Sequence, residues 1–108
     1  MAVSALPQRA LDLLVLKTLA RGANHGYGIL LHVHDASANL LRVEEGSLYP
    51  ALHRLEQAGL LKAEWRTSEN NRRAKYYTLT TKGRKQLAAE QRNWERVATG
   101  VSRVLQFS

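Results

Sequence analysis

The chain has 108 residues, 44% hydrophobic and 23% charged, which suits one folded domain with a real core and hardly allows two. A net charge of +7 and an isoelectric point near 10.3 point to a polyanionic partner, nucleic acid before an anionic membrane surface. Disulfides and thiol chemistry are excluded by the absence of cysteine. No apolar run reaches the roughly 18 residues that span a bilayer and no leader is legible, so a cytoplasmic protein is expected.

Residues 1–6 read as a loose start, and Pro7 suits the first turn of a helix. From 8 to about 21, Leu11, Leu14, Val15, Leu16 and Leu19 leave little polar face, so this first helix is expected to be mostly buried, with Gly22 ending it. A second helix is expected over residues 26–36, with Ile29, Leu30 and Val33 inward. Gly28 inside it costs roughly 1 kcal/mol against alanine, tolerable where another helix packs close. Residues 37–41 read as a loop, and Arg42 with Val43 as a short strand.

The stretch from Glu45 to Gly59 predicts the third helix. Leu48, Ala51, Leu52, Leu55 and Ala58 form one apolar stripe at helical spacing, and Gly59 supplies a left-handed stop. The opposite face carries Ser47, Tyr49, Pro50, His53, Arg54 and Gln57, most of which can hydrogen-bond to phosphates or base edges. Pro50 is harmless only in a first turn, which favours Ser47 as N-cap. Glu44 and Glu45 would instead suit an earlier start, where they would favour the helix dipole.

Leu60 to Thr67 reads as a strand, Ser68-Glu69-Asn70-Asn71 as a turn, and Ala74 to Leu79 as the returning strand. Three helices followed by a hairpin is the order of a winged helix-turn-helix domain, mainly α with a small β-hairpin wing. The tip, Asn70-Asn71-Arg72-Arg73-Ala74-Lys75, gathers three cations and two amides. Between Lys62 and Lys85, eight cations against two acids leave +6 of the chain's +7. Such charge can simply discourage edge pairing. Beside a candidate reading helix it predicts phosphate or minor-groove contact.

Thr80 or Thr81 can cap a last helix reaching about residue 106, close to 40 Å long at about 1.5 Å per residue. Leu87, Trp94 and Val101 fall seven apart, with Val97 and Val104 between them and Ala98 and Leu105 widening the stripe. Glu90 makes the heptad imperfect. So long a helix outruns one small domain, and a twofold dimer is the simplest cover for its far end. Trp94 is read first as an anchor of that seam. Its other reading is one of two indoles flanking a gap for a flat aromatic effector.

Other chemistry is poorly supported. His32 and His34 diverge on a helix, His25 and His53 have no partner at ligand spacing, and no metal or cofactor is expected. His25 reads as part of the tight turn into the second helix. No nucleophile elbow, glycine-rich phosphate loop or paired carboxylates occur. Ser47 and His53 share a helical face but lack an orienting acid, so no enzyme is expected.

Several blocks agree in order and spacing with one family: His25-Gly26-Tyr27-Gly28-Ile29, Gly46-Ser47-Leu48-Tyr49-Pro50-Ala51-Leu52-His53-Arg54-Leu55-Glu56, Gly59-Leu60-Leu61 and Arg72-Arg73-Ala74-Lys75-Tyr76-Tyr77-Thr78-Leu79-Thr80, with Gly83 following. From about Leu11 to Leu105 the chain resembles the PadR family of transcriptional regulators, in a short form with one C-terminal helix. The resemblance implies a winged-helix domain over residues 1–80 and a dimerisation helix over 81–108. It implies a homodimer on a pseudo-palindromic double-stranded DNA operator, usually acting as a repressor. Ser47, Tyr49, Pro50, His53 and Arg54 would face the major groove, and Asn71, Arg72, Arg73 and Lys75 would make the wing contacts. Leu87, Trp94, Val97, Val101, Val104 and Leu105 would form the dimer seam. In some of these regulators a tryptophan matching Trp94 stacks on aromatic ligands between subunits, so a small aromatic effector is a further expectation. Two rivals are a winged-helix module that grips a protein partner through Tyr49 and Pro50, and sequence-tolerant binding of RNA or chromosomal DNA.

Overall fold

The computed structural model describes residues 6–67 and 69–107. Most of the loose start expected over residues 1–6, and Ser68 of the expected turn, lie outside the described residues. Four helices and three short strands follow in the order α1 (Gln8–Leu19), β1 (Asn24–His25), α2 (Gly26–Ala36), α3 (Glu45–Gln57), β2 (Leu61–Thr67), β3 (Arg73–Leu79) and α4 (Thr81–Gln106).

Pro7 precedes α1, where its missing N–H is harmless, and its carbonyl accepts from Leu11 N–H at 3.0 Å. Leu11, Val15, Leu16, Thr18 and Leu19 are buried, and Thr18 satisfies its hydroxyl by donating to the Leu14 carbonyl at 2.8 Å. Asn24–His25, expected only as a turn, adds a third strand beside β3 and gives the sheet order β1-β3-β2. His25 then caps α2, its Nδ1 accepting from Gly28 N–H at 3.1 Å. A side chain at Gly28 would run into the Asn24 side chain, so the close neighbour there is a strand residue and not the expected helix. Arg42–Val43 forms no strand. Val43 is buried, and its N–H donates to His34 Nε2 at 3.0 Å.

Of the two starts that the sequence leaves open for α3, the structure takes the earlier. Glu44, not Ser47, occupies the N-cap position, and its carbonyl accepts from the N–H groups of Ser47 at 3.0 Å and Leu48 at 2.9 Å. Pro50 therefore sits inside the helix, at a cost of about 3 kcal/mol in an ordinary interior. Two features offset it. The carbonyl deprived of a partner belongs to exposed Gly46, which water can reach. Leu48, Leu52 and Leu55 are buried on the helix back, at about 1.5–3 kcal/mol each. At the other end, Leu60 N–H donates to the Leu55 carbonyl and Gly59 N–H to the Glu56 carbonyl, each at 3.0 Å, while Gly59 takes φ +78°. That double bond around a left-handed residue is the Schellman stop.

The β2–β3 ladder pairs Leu61 with Leu79, Ala63 with Tyr77, Trp65 with Lys75 and Thr67 with Arg73. Side chains paired in this way share a sheet face. That face covers the core at Leu61, Leu79 and Tyr77, then runs outward past it. Val15, Leu16, Leu19, Ile29, Leu48 and Leu52 form the fully buried centre, where α1, α2 and α3 meet. Thr80 caps α4, its Oγ1 accepting from Gly83 N–H at 3.0 Å. Leu87 belongs to the same core, at 8% exposure, but every described residue from Arg92 onward is exposed. The helix thus leaves the body after its first turns, and the molecule extends 56 Å along its longest axis.

Candidate nucleic-acid interface

With its stripe of leucines spent on the core, α3 turns its other face outward. Ser47, Tyr49, Pro50, His53 and Gln57 are all exposed there. The Tyr49 ring also lies over the first residue of α2: a Cβ built on Gly26 would stand 2.6 Å from Tyr49 Cε1. Tyr49 is therefore positioned from two helices.

Arg54 behaves differently from its neighbours. Its guanidinium turns back onto α1 and grips Asp12 with two bonds, Nη1 to Oδ2 at 2.8 Å and Nη2 to Oδ1 at 2.9 Å. One turn earlier on α1, the Gln8 amide reaches Nε at 2.7 Å and Nη2 at 2.9 Å, and hydrogen bonding assigns its oxygen as the acceptor of both. Hydrogen bonding to Asp12 raises the Arg54 pKa, against an opposing effect of burial. A fork held by α1 at each of its three nitrogens positions a helix. The structure separates Arg54 from the group formed by Ser47, Tyr49, Pro50 and His53, although all five share the polar side of the helical wheel.

The wing stands across from α3. Glu56 on α3 accepts from Lys75 Nζ on β3 at 3.1 Å, and this pair straps the wing to the helix. Hydrogen bonding to Glu56 raises the Lys75 pKa. Lys75 also lies 5.5 Å from the Tyr77 ring centre, and burial pushes the Tyr77 phenol up. Beyond the strap the wing is exposed at Asn70, Asn71, Arg72 and Arg73, with Asn71 in the left-handed turn conformation at φ +60°. Between α3, the start of α2 and the inner wing face lies an open groove of about 820 Å³, lined by Tyr27, Tyr49, Trp65, Arg72, Arg73 and Lys75 among others. Its walls mix aromatic rings with cations.

Two aspects of this groove escape sequence reasoning. Trp65, expected only as a strand residue, is 59% exposed on the wing. The alternation Leu61, Ala63, Trp65 could have marked it as the point where the inward face outruns the core. Glu56 holds Lys75 of the groove, Asp12 and Gln8 hold Arg54 beside it on α3, and no local pattern announces such long-range partners.

The histidines take local posts. His25 caps α2 and meets Tyr76 edge-on at 5.2 Å, His34 holds the Val43 backbone, and His32 lies 2.8 Å from Arg21 Nη1. Among the described residues no three histidines, aspartates or glutamates group to hold a metal.

At the far end of the molecule, Trp94, Val97, Val101, Val104 and Leu105 are 47–79% exposed along α4. Leu87, expected in the same seam, is already buried within its own chain. A groove of about 210 Å³ beside Trp94 is lined by Pro7, Arg9, Ala10, Leu13, Glu90, Asn93 and Val97. Arg9 bridges α1 to α4 by donating to Glu90 at 3.1 Å.

Residues 15–89 match the Transcriptional regulator PadR-like family. The transcriptional regulator Rv3488 of Mycobacterium tuberculosis is 36% identical over 92 residues, 85% of this chain and 82% of the relative. A PadR family regulator from Eggerthella lenta superposes with a TM-score of 0.78 at 31% identity, covering 94% of this chain and 87% of the other. A PadR-like regulator from Bacillus cereus does so with a TM-score of 0.78 at 28% identity, covering 92% and 94%. The wing, the cap at His25, the α3 stripe and the root of α4 all fall within the matched span. Four helices with a three-stranded antiparallel wing are therefore the PadR-like winged-helix architecture, in a family of transcriptional regulators rather than enzymes, and this chain belongs to it.

Proposed function

We propose that the protein is a cytoplasmic, sequence-selective DNA-binding repressor that works as a homodimer on a pseudo-palindromic operator. The observation that carries the reading is the groove beside the exposed front of α3: Tyr49 of α3 and the start of α2 line one side of it, and the basic wing with Arg72, Arg73 and Lys75 lines the other. In the reading, Ser47, Tyr49, Pro50 and His53 meet base edges in the major groove, and Asn71, Arg72 and Arg73 meet the flanking backbone. Arg54 and Lys75 take part by holding α3 and the wing in register. Residues 1–80 serve as the DNA-binding domain and 81–108 as the dimerisation helix. The exposed apolar stripe of α4 supports a second copy as its cover. Two heads joined in this way would reach successive major grooves about 34–36 Å apart. The groove beside Trp94 adjoins that seam and supports release by a small aromatic effector that stacks on the indole.

Fluorescence anisotropy with labelled duplexes from upstream of the protein's own gene tests the reading. The expected result is binding to one such duplex well above random DNA at physiological salt, with two protomers per site. Negligible affinity for every duplex would sink it in favour of a protein-binding module, and equal affinity for all of them in favour of sequence-tolerant binding.

A further inference from the structure

Trp65 packs into no core within the described fold. It continues the sheet face that begins with Leu61 and Ala63, opposite Leu79, Tyr77 and Lys75, yet it lies beyond the buried centre and is 59% exposed. The Arg73 guanidinium lies 5.6 Å from its ring centre. Two other cations of the wing are engaged elsewhere. Glu64 accepts from Arg66, which lies 5.1 Å from the Tyr76 ring centre on the opposite sheet face. Glu56 holds Lys75. Arg73 makes no ion pair among the described residues and faces the indole instead. Stacking directs a guanidinium without using its in-plane N–H donors, the geometry that suits bidentate capture of a phosphate.

We propose that Trp65 and Arg73 act as one unit gripping the sugar–phosphate strand that enters the groove. The indole lies against deoxyribose, and Arg73, steered by it, pairs with the adjoining phosphate. A strand of DNA offers that alternation of apolar sugar and anion. The charge is complementary, since the segment from Lys62 to Lys85 holds +6 of the chain's +7, though Glu69 also stands on the groove wall. Trp65 is thus a positioning residue for Arg73 as well as a contact. The grip is indifferent to sequence, so it raises affinity for operator and random DNA alike.

This inference rests on the DNA-binding reading, and its test separates the two. Full-length protein labelled with fluorotryptophan gives two fluorine resonances, one for Trp65 and one for Trp94, assigned with Trp65→Phe. A short duplex is titrated in while anisotropy reports binding in parallel. The Trp65 resonance is expected to move as the duplex saturates. Trp65→Ala and Arg73→Ala are each expected to weaken binding roughly five- to tenfold on operator and random duplexes. Their combination should weaken it little further, because each removes the same grip, and Trp65→Tyr should restore most of the loss. A duplex that binds with the Trp65 resonance unmoved, or losses that multiply, would overturn the proposal and leave the DNA reading standing. A shift produced by polyglutamate and not by duplex would overturn it too. Failure of every duplex to bind would remove both together.

Discussion

Arg54 shows how a single side chain changes role with its surroundings. On a helical wheel it belongs to the outward face, yet Asp12 and Gln8 engage each of its three nitrogens. Because the pair is partly exposed, it is worth no more than about 1 kcal/mol after solvent screening, but its forked geometry sets the rotation of α3 against α1. Asp12→Asn is therefore expected to lower the operator-to-random affinity ratio about as much as Arg54→Ala, with the double variant no worse than either. A base-reading arginine would give a different outcome in the same anisotropy titrations: loss with Arg54→Ala and none with Asp12→Asn. Among the described residues, Tyr49 and His53 make no such inward ion pair. Alanine at either is expected to cost about 1–3 kcal/mol on the operator and far less on random DNA, and equal losses on both would count against direct reading there.

At the scale of elements, two straps fix α3: Arg54 ties it to Asp12 of α1, and Glu56 ties it to Lys75 of the wing. The wing strap depends on pH in a definite sense. Since Glu56 raises the Lys75 pKa, its contribution is complete below the free-lysine value of about 10.4 and is lost only as pH climbs through the higher folded value. Wing geometry should accordingly be unchanged across neutral pH, and Glu56→Gln should loosen the wing at pH 7 as loss of the Lys75 charge would in alkaline solution, readable as faster amide exchange in β3. The wing tip answers to salt instead. Arg72→Ala combined with Arg73→Ala is expected to flatten the slope of log affinity against log salt by about 1.8, or about 0.9 for each phosphate left unneutralised. An unchanged slope would remove the tip from the DNA-binding surface.

At the scale of the molecule, the body ends where α4 leaves it. Leu87 closes the core, and the stripe beyond it stays exposed: Trp94 at 51%, Val101 at 52% and Leu105 at 79%. In the proposed dimer, a second copy would bury this stripe. If the proposed seam lies there, Trp94→Glu would place an unpaired charge in it. It is expected to yield monomers in sedimentation velocity and to lower operator affinity sharply, because one head alone meets one half-site. Dimers persisting in the variant would move the seam elsewhere.

Local chemistry decided much of this protein before it folded. The leucine spacing of α1 and α3, the glycine stop at Gly59, the threonine cap at Thr80 and the aromatic alternation of β3 are short-range signals, and each element appeared within a few residues of where its pattern lies. Clustering of charge around residues 62–85 was equally legible. What neighbours in sequence could not reveal is what meets across the fold. Pro50 is tolerated within α3 because buried leucines on the helix back outweigh one lost bond. Asn24–His25 becomes a strand only because β3 offers it an edge. Arg54 turns inward because α1 places Asp12 and Gln8 within reach, and Trp65 stays in the open because the core ends one residue pair before it. Burial and pairing between distant segments depend on three-dimensional packing, and only the tertiary structure could assign them.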